Sequence, residues 1–380
     1  MIEKLNVRVA CNSLSLGQVG FNIVRELYKR RIKCSIFPYG GVDLSAYKVD
    51  PQFGAWLTKS VNERYTSLDR KIPTLNCWHL RDSELRLSDK QVTLSFHETD
   101  QPTNEEVNIV NQQDYTFFSS SWSVDNFLTF GAKNVGFVHL GLDPDFVPAA
   151  GSMFPPEVTH WICVGKWEDL RKMTGQKIAT WIKRYGGNQS HQLTICVNNP
   201  FYQKRRLPDG RVEGFDMNDV YARLFGSADW PRAKPSNVNV LPHLKTNAEM
   251  ASLYQSADID LSGISRAEGY NLPAFTATAF GKWSIVTNCS AHKDWATAEN
   301  SILIEPTGSV KAVDGFFFRE GDQFSSGNMF DFAPDAIEEA MIRAEKLAKT
   351  PNPAGLELGK TLTYKHTVDR ILDKIEEISV

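Results

Sequence analysis

Ser265-Arg-Ala-Glu268-Gly269-Tyr-Asn-Leu-Pro273-Ala-Phe-Thr276-Ala-Thr-Ala-Phe-Gly281 sets a carboxylate and a glycine between a strand-like run and a helix of small residues. Upstream, Ala257-Asp-Ile-Asp-Leu-Ser262 reads as a short buried strand, and Pro273 to Phe280 as an alanine-rich helix. Glu268 and the backbone N–H groups of Gly269 to Leu272 therefore lie in the strand-to-helix turn. Unpaired N–H groups at a helix start attract phosphate, and a carboxylate beside them accepts hydrogen bonds from hydroxyls. The turn suits a ligand whose two halves want opposite things, as a nucleotide sugar does. An isolated Glu-Gly pair reads more readily as a capping carboxylate and a turn glycine, so the rest of the chain must decide.

The segment resembles the donor site of the GT-B glycosyltransferases of the large retaining family 4, whose usual text is P-S-x-x-E-G-[FY]-G-x-P-x-x-E-A-x-A-x-G. Ser265, Glu268, Gly269, Tyr270, Asn271, Pro273, Thr276, Ala277, Ala279 and Gly281 are the aligned residues. The resemblance implies that Glu268 contacts sugar hydroxyls and that Gly269, Tyr270, Asn271 and Leu272 line the donor. The family's second glutamate, which holds the ribose diol, is replaced by Thr276, which is shorter and cannot grip a diol with two oxygens. Ile264 and Asn271 stand where the family has Pro and Gly, and Asn best tolerates a left-handed backbone after Gly.

Other stretches extend the resemblance. Thr159-His-Trp-Ile-Cys-Val164 reads as a strand running into Gly165-Lys166, with Arg171-Lys172 beyond. In the family, basic residues at the places of Lys166 and Lys172 bind the donor diphosphate, with Gly165 and Arg171 beside them; Pro242-His243-Leu244 faces the base, and Gly17 and Gln18 match a glycine-containing loop near the phosphates. A departing diphosphate gains negative charge, which pre-placed cations stabilise. Ser119 to Phe127 and Gly131 to Phe146 resemble the end of the family's first domain. His97 and Glu98, with Asp100 behind, follow the strand Val92 to Phe96 and are expected on the acceptor side, since such sheets bind ligands beyond their strand ends.

Strands and helices alternate along the chain. Val7 to Asn12, Gly17 to Arg30 and Lys33 to Phe37 make a strand, helix, strand unit. Short strands are expected at Thr74 to Trp78, Val92 to Phe96, Tyr115 to Ser119 and Val135 to His139. A second set runs from Thr159 through Gln192 to Val197, Asn237 to Leu241, Trp283 to Thr287 and Asn300 to Ile304. The fold class expected is α/β, two doubly wound Rossmann-like domains facing across a cleft (GT-B). The acceptor-side domain spans 1–150 and the nucleotide-sugar domain 151–360, with the boundary near 147–156. Ala333 to Lys349 and Thr361 to Ile378 read as helices, and the resemblance implies that the last, about 361–380, packs back on the first domain.

Composition narrows the class. The 380 residues are 42% hydrophobic, enough for two cores, and 42 Lys and Arg against 45 Asp and Glu leave a nearly neutral field. Six scattered cysteines suit a reducing compartment, and no apolar run approaches the roughly 20 residues that span a bilayer. The expectation is a cytoplasmic protein (host cytoplasm if phage-encoded), free or peripheral to the membrane, with no transmembrane segment. Asp258-Ile-Asp260 spells a D-x-D that elsewhere binds metal, but its place within a strand favours structural roles. Expected is a metal-independent, retaining hexosyl- or pentosyltransferase with no cofactor, a nucleotide sugar being its donor substrate. The acceptor is a glycan or lipid-linked saccharide, or a hydroxymethylated base in DNA held through Lys204, Arg205 and Arg206. The alternative is a non-catalytic sugar-nucleotide or partner-binding protein whose donor site Thr276 has degraded.

Overall fold

The computed structural model of the chain describes residues 2–147, 154–214, 216–226, 234–241 and 244–379. Its first half runs β1 (Lys4–Val9), α1 (Ser15–Lys29), β2 (Lys33–Pro38), α2 (Pro51–Asn62), α3 (Arg64–Ser67), β3 (Thr74–Cys77), β4 (Gln91–Ser95), α4 (Asn104–Asn111), β5 (Tyr115–Phe118), α5 (Ser121–Thr129) and β6 (Val135–Phe137). These strands form a parallel sheet ordered β2-β1-β3-β4-β5-β6. The second half opens with β7 (Thr159–Lys166), α6 (Thr174–Tyr185), β8 (His191–Asn198), β9 (Arg205–Arg206), β10 (Val212–Glu213), α7 (Met217–Gly226), β11 (Val238–Val240) and α8 (Asn247–Ser256). It continues with β12 (Ile259–Asp260), α9 (Leu272–Ala279), β13 (Trp283–Thr287), a 3-10 turn (Ser290–Asp294), β14 (Ser301–Ile304), β15 (Gly308–Lys311), β16 (Asn328–Asp331), α10 (Ala336–Leu347), α11 (Pro353–Thr361) and α12 (Tyr364–Ser379). Its main sheet is parallel in the order β11-β8-β7-β12-β13-β14.

The chain is thus α/β, with two parallel six-stranded sheets that make two Rossmann-like units. Strand order reverses between β1 and β3 in the first sheet and between β7 and β12 in the second. At such switch points neighbouring loops leave toward opposite faces and open a crevice beyond the strand ends.

Local sequence accounts for the elements. On α1, Phe21, Val24 and Leu27 recur at helical spacing and are buried, while α6 buries Ile178, Trp181, Ile182 and Tyr185 in the same way. Capping boxes start α4 (Thr103 with Glu106) and α8 (Thr246 with Glu249). The six cysteines are free, and five of them are buried as small apolar fillers. Among the described residues no helix is long and apolar enough to cross a membrane.

Several expectations shift. The Ala257 to Ser262 strand shortens to β12, because Ser262 leaves the ladder to bond Asp260. The last expected helix starts three residues late, at Tyr364, because Leu362 and Thr363 pass beside Leu142, and the helix α11 before it was not anticipated. Helix α11 lies on α9 at backbone distance, since a Cβ on Gly355 would stand 2.4 Å from the Thr278 carbonyl oxygen. That contact explains why α9 is made of small residues. The hairpin β15–β16 and helix α4 were not anticipated. The expected boundary near 147–156 falls largely on residues outside those described.

Helix α12 returns to the first half. Tyr364, Val368, Ile371 and Ile375 enter the core that holds Val19, Ile23 and Leu27, and Thr367 donates to the His139 carbonyl at 2.7 Å. Gly141 admits the return, because a Cβ there would meet the Tyr364 nitrogen at 2.0 Å. Gly141→Ala should therefore lower stability by roughly 1–3 kcal/mol. Urea titration checks this, and an unchanged midpoint would show that the return tolerates side chains.

Candidate active site

The switch point between β7 and β12 is built by two chain reversals that face one another. Gly165, at φ 128°, turns the end of β7 against Pro273, which a Cβ would approach at 3.7 Å. Across from it, Asn271 adopts φ 70° and caps α9 by accepting from Ala274 N–H. Its amide donates to the Ser262 carbonyl and to His292 Nε2 at 2.9 Å, which leaves the His292 proton on Nδ1, directed at the Thr287 carbonyl. Complete burial pushes the His292 pKa down to about 4 despite Glu268, so the ring is neutral. Among the described residues, the N–H groups of Gly269, Tyr270, Asn271 and Leu272 make no hydrogen bond. Four successive free donors beginning a helix are an anion site.

Charged side chains gather around that turn. Glu268 accepts from Lys172 Nζ at 2.6 Å and from Arg171 Nη1 at 2.9 Å. Arg171 also grips Glu168 through Nε and Nη2 at 2.8 and 3.0 Å, and Lys166 Nζ pairs with Glu168 at 2.5 Å. From the first half, Glu98 reaches Arg171 at 3.5 Å. Three cations thus face three carboxylates in a nearly closed cluster. Burial works against the Glu268 carboxylate, but Lys172 and Arg171 win and hold its pKa far below the usual range. Burial likewise opposes Glu168, which Arg171 and Lys166 bring to about 2. Enclosure lowers the Lys166 pKa, against the pull of Glu168. Glu268 spends one lone pair on each oxygen, which leaves acceptor capacity for hydroxyls.

Other expected residues lie elsewhere. His97 turns its ring inward onto Glu106 at 3.4 Å and against Phe127, with a side chain only 2% exposed, so it does not face the cleft. Asp100 accepts from the Asn328 N–H and amide, which fastens hairpin β15–β16 to the first half. Gln18 is turned toward Asp143 at 3.3 Å, and Gly17 is needed where a Cβ would stand 2.2 Å from Asn12 Oδ1. Tyr270 is buried and donates to the Leu140 carbonyl, so it joins the two halves. Gly269 fits under Phe96, whose Cβ would lie 3.1 Å from an added Cβ. Thr276 is buried on α9, and its hydroxyl makes no hydrogen bond among the described residues. Leu244 packs beside Tyr254 and Phe280, and His243 lies outside the described residues.

Residues with no expectation attached complete the site. Glu168 sits in the same basic loop as Lys166, and the alternation of charge there was its only signal. Ser290 Oγ accepts from Glu268 N–H, and no sequence pattern points to it. His79 follows β3 and opens into the cleft, where the walls lower its pKa, Glu98 raises it, and Lys166 and Arg171 lower it further. Lys166 also lies 3.8 Å from the Phe317 ring centroid and 5.5 Å from that of Phe201. The D-x-D carboxylates act separately: Asp258 accepts from His160 N–H and pairs with Lys349, and Asp260 is buried on Ser262. The basic run 204–206 is partly neutralised at home, Lys204 by Asp219 and Arg205 by Glu213.

No protein-family model matches the chain, and no curated protein matches it. Solved structures do. A glycosyltransferase from Rickettsia africae superposes with a TM-score of 0.66 at 11% identity, covering 99% of this chain and 98% of its own. Sucrose-phosphate synthase from Thermosynechococcus elongatus gives 0.65 at 10%, covering 99% of both. HepE of Anabaena, in complex with UDP and glucose, gives 0.57 at 11%, covering 99% and 98%. At these identities the likeness establishes the fold, which is the two-domain GT-B arrangement.

The charge cluster carries a pH signature. Glu168, with a folded pKa of about 2 against an ordinary 4.5, stabilises the fold above pH 4.5 and loses that contribution as pH falls toward 2. Denaturation midpoints should therefore drop over this window in the wild type and less steeply in Glu168→Gln, which starts lower at pH 7. Parallel slopes would assign the acid sensitivity to other carboxylates.

Proposed function

We propose that this chain, with its GT-B fold, is a glycosyltransferase that moves a hexose or pentose from a nucleotide sugar to an acceptor hydroxyl. The observation that carries the reading is the meeting of Glu268, Lys172 and Arg171 with four free N–H groups at one switch point. A diphosphate has donors and cations on one side there, and a sugar has a carboxylate on the other. HepE, a structural neighbour, holds UDP and glucose, which supports a donor of that class here.

In this reading the diphosphate draws Lys166 and Lys172 and caps the free N–H groups of residues 269–272. Glu268 keeps its place and accepts from sugar hydroxyls. The bond between the anomeric carbon and the diphosphate oxygen breaks as the acceptor oxygen bonds to that carbon. The acceptor proton passes to the departing phosphate oxygen on the same face, so configuration is retained and no protein nucleophile is used. The cations Lys166, Arg171 and Lys172 stabilise the leaving group without a metal ion. The acceptor enters from the first half, where Glu98 and His79 face the cluster. The pairing of Lys204 and Arg205 within their own insertion favours a saccharide acceptor over DNA.

Calorimetry with UDP, ADP, GDP and their sugars, in chelator, tests the donor site: one nucleotide family should bind without metal. Lys172→Ala leaves Glu268 with Arg171 as its cation, so it should lower the urea midpoint and, in the protein that remains folded, cut turnover by about 100-fold or more. Wild-type turnover in this variant would overturn the assignment, and failure of every nucleotide to bind would favour a non-catalytic role. The anomeric configuration of the product, read by NMR, decides between retention and inversion.

A further inference from the structure

We infer that the first half carries an extended saccharide groove, running from the reaction centre to a depression beside Arg8. The acceptor is then an oligosaccharide of two or more units whose far end lies in that depression. The inference rests on the transferase reading above and adds the acceptor class to it.

The groove exists because one crossover is not a helix. Between β3 and β4, residues 78–90 run as turns, where a doubly wound sheet ordinarily lays a helix across its face. The uncovered face leaves a depression of about 540 Å³ lined by Arg8, Phe37, Tyr39, Glu84, Leu85 and Leu87, among others. That volume is within the range of about 300–1,000 Å³ that holds small ligands.

A row of side chains runs from the depression toward the reaction centre and ends at His79. The Arg8 guanidinium lies 4.8 Å from the Tyr39 ring centroid, and Tyr39 stacks on Trp78 at 4.4 Å and 12°. Trp78 meets His79 edge to face at 5.4 Å, and His79 shares its field with Glu98, Lys166 and Arg171. Trp78 and His79 leave β3 at the switch point of the first sheet, where a ligand crevice is expected on topology alone. Three successive contacts make the row longer than one pyranose ring.

The chemistry of the row selects a neutral polyhydroxylated ligand. Among the described residues, Arg8 spends Nη1 on the Asp82 and Leu85 carbonyls and leaves Nε and Nη2 without a hydrogen bond. Glu84 is exposed, and among the described residues neither its carboxylate nor Trp78 Nε1–H has a hydrogen-bonding partner. Arg86, also at the rim, is committed to Gln112, Asp89 and Asp114. One free cation and one free carboxylate balance each other, so a phosphate gains little, and a lipid chain would have to desolvate both. A sugar ring offers hydroxyls to Arg8, Glu84 and Trp78 Nε1 and its C–H face to the rings.

The test is an array of neutral mono- to hexasaccharides probed with labelled full-length protein, with UDP calorimetry on the same samples. Wild-type signal should rise from mono- to trisaccharides, and Trp78→Ala should weaken it about tenfold, the scale of one lost aromatic contact. Arg8→Gln, at a half-buried position on β1, and Glu84→Gln, at an exposed one, should weaken the longer glycans while sparing the monosaccharides, and all three variants should bind UDP as the wild type does. No glycan signal, no length dependence, or full signal in every variant overturns the groove, even with UDP binding intact. A length- and Trp78-dependent signal without UDP binding supports the groove and overturns the donor site instead.

Discussion

The Glu268 carboxylate, taken into the interior and held between Arg171 and Lys172, is the interaction on which the rest of the site depends. A buried carboxylate must be paired, and stripping away a partner typically costs about 3–5 kcal/mol because the charge left behind cannot reach water. Arg171 in turn holds Glu168 and Glu98, so the same bonds join the loop after β7, the turn after β12 and the first half of the chain. The backbone devices nearby serve this meeting. Gly165 bends one loop toward it, Asn271 bends the other, and the close approach of α11 to α9 sets the height of the turn.

Much of this was legible from residues alone. The strand, helix alternation gave two parallel sheets, and the Glu268 turn and the Lys166 and Lys172 loop do converge, because short-range pattern and turn chemistry fix both. Asn271 does adopt the left-handed conformation its side chain tolerates. The two strand orders were not legible, since hydrophobic period reports which segments are strands and says nothing of which lie side by side. His97 turned inward for a reason the sequence hides: its partner Glu106 comes from a helix that no strong apolar period announces. His79 was missed for the converse reason. Its importance lies in neighbours contributed by loops far along the chain.

The two halves are joined by directed bonds as well as by apolar packing. Ser119 Oγ donates to the Gly269 carbonyl at 2.6 Å, Ser121 N–H to Asp294 at 3.0 Å, and hairpin β15–β16 crosses to meet Asp100 and Glu106. Tyr270, Phe275 and Trp295 of the second half meanwhile share the core of the first. These bonds make the hairpin a strap between the two halves. Lys166, beside Phe317 near the strap's tip, couples the strap to the charge cluster.

The return of α12 has a consequence for how the molecule comes to exist. Tyr364, Val368, Ile371 and Ile375 complete a core whose other members are mostly laid down before residue 100. That core is therefore complete only once α12 has been made. Until the final helix emerges, the face of α1 that it covers is apolar and open, and such surfaces recruit chaperones or neighbouring chains. The second half has no such debt, because its sheet and the helices on it are contiguous in sequence.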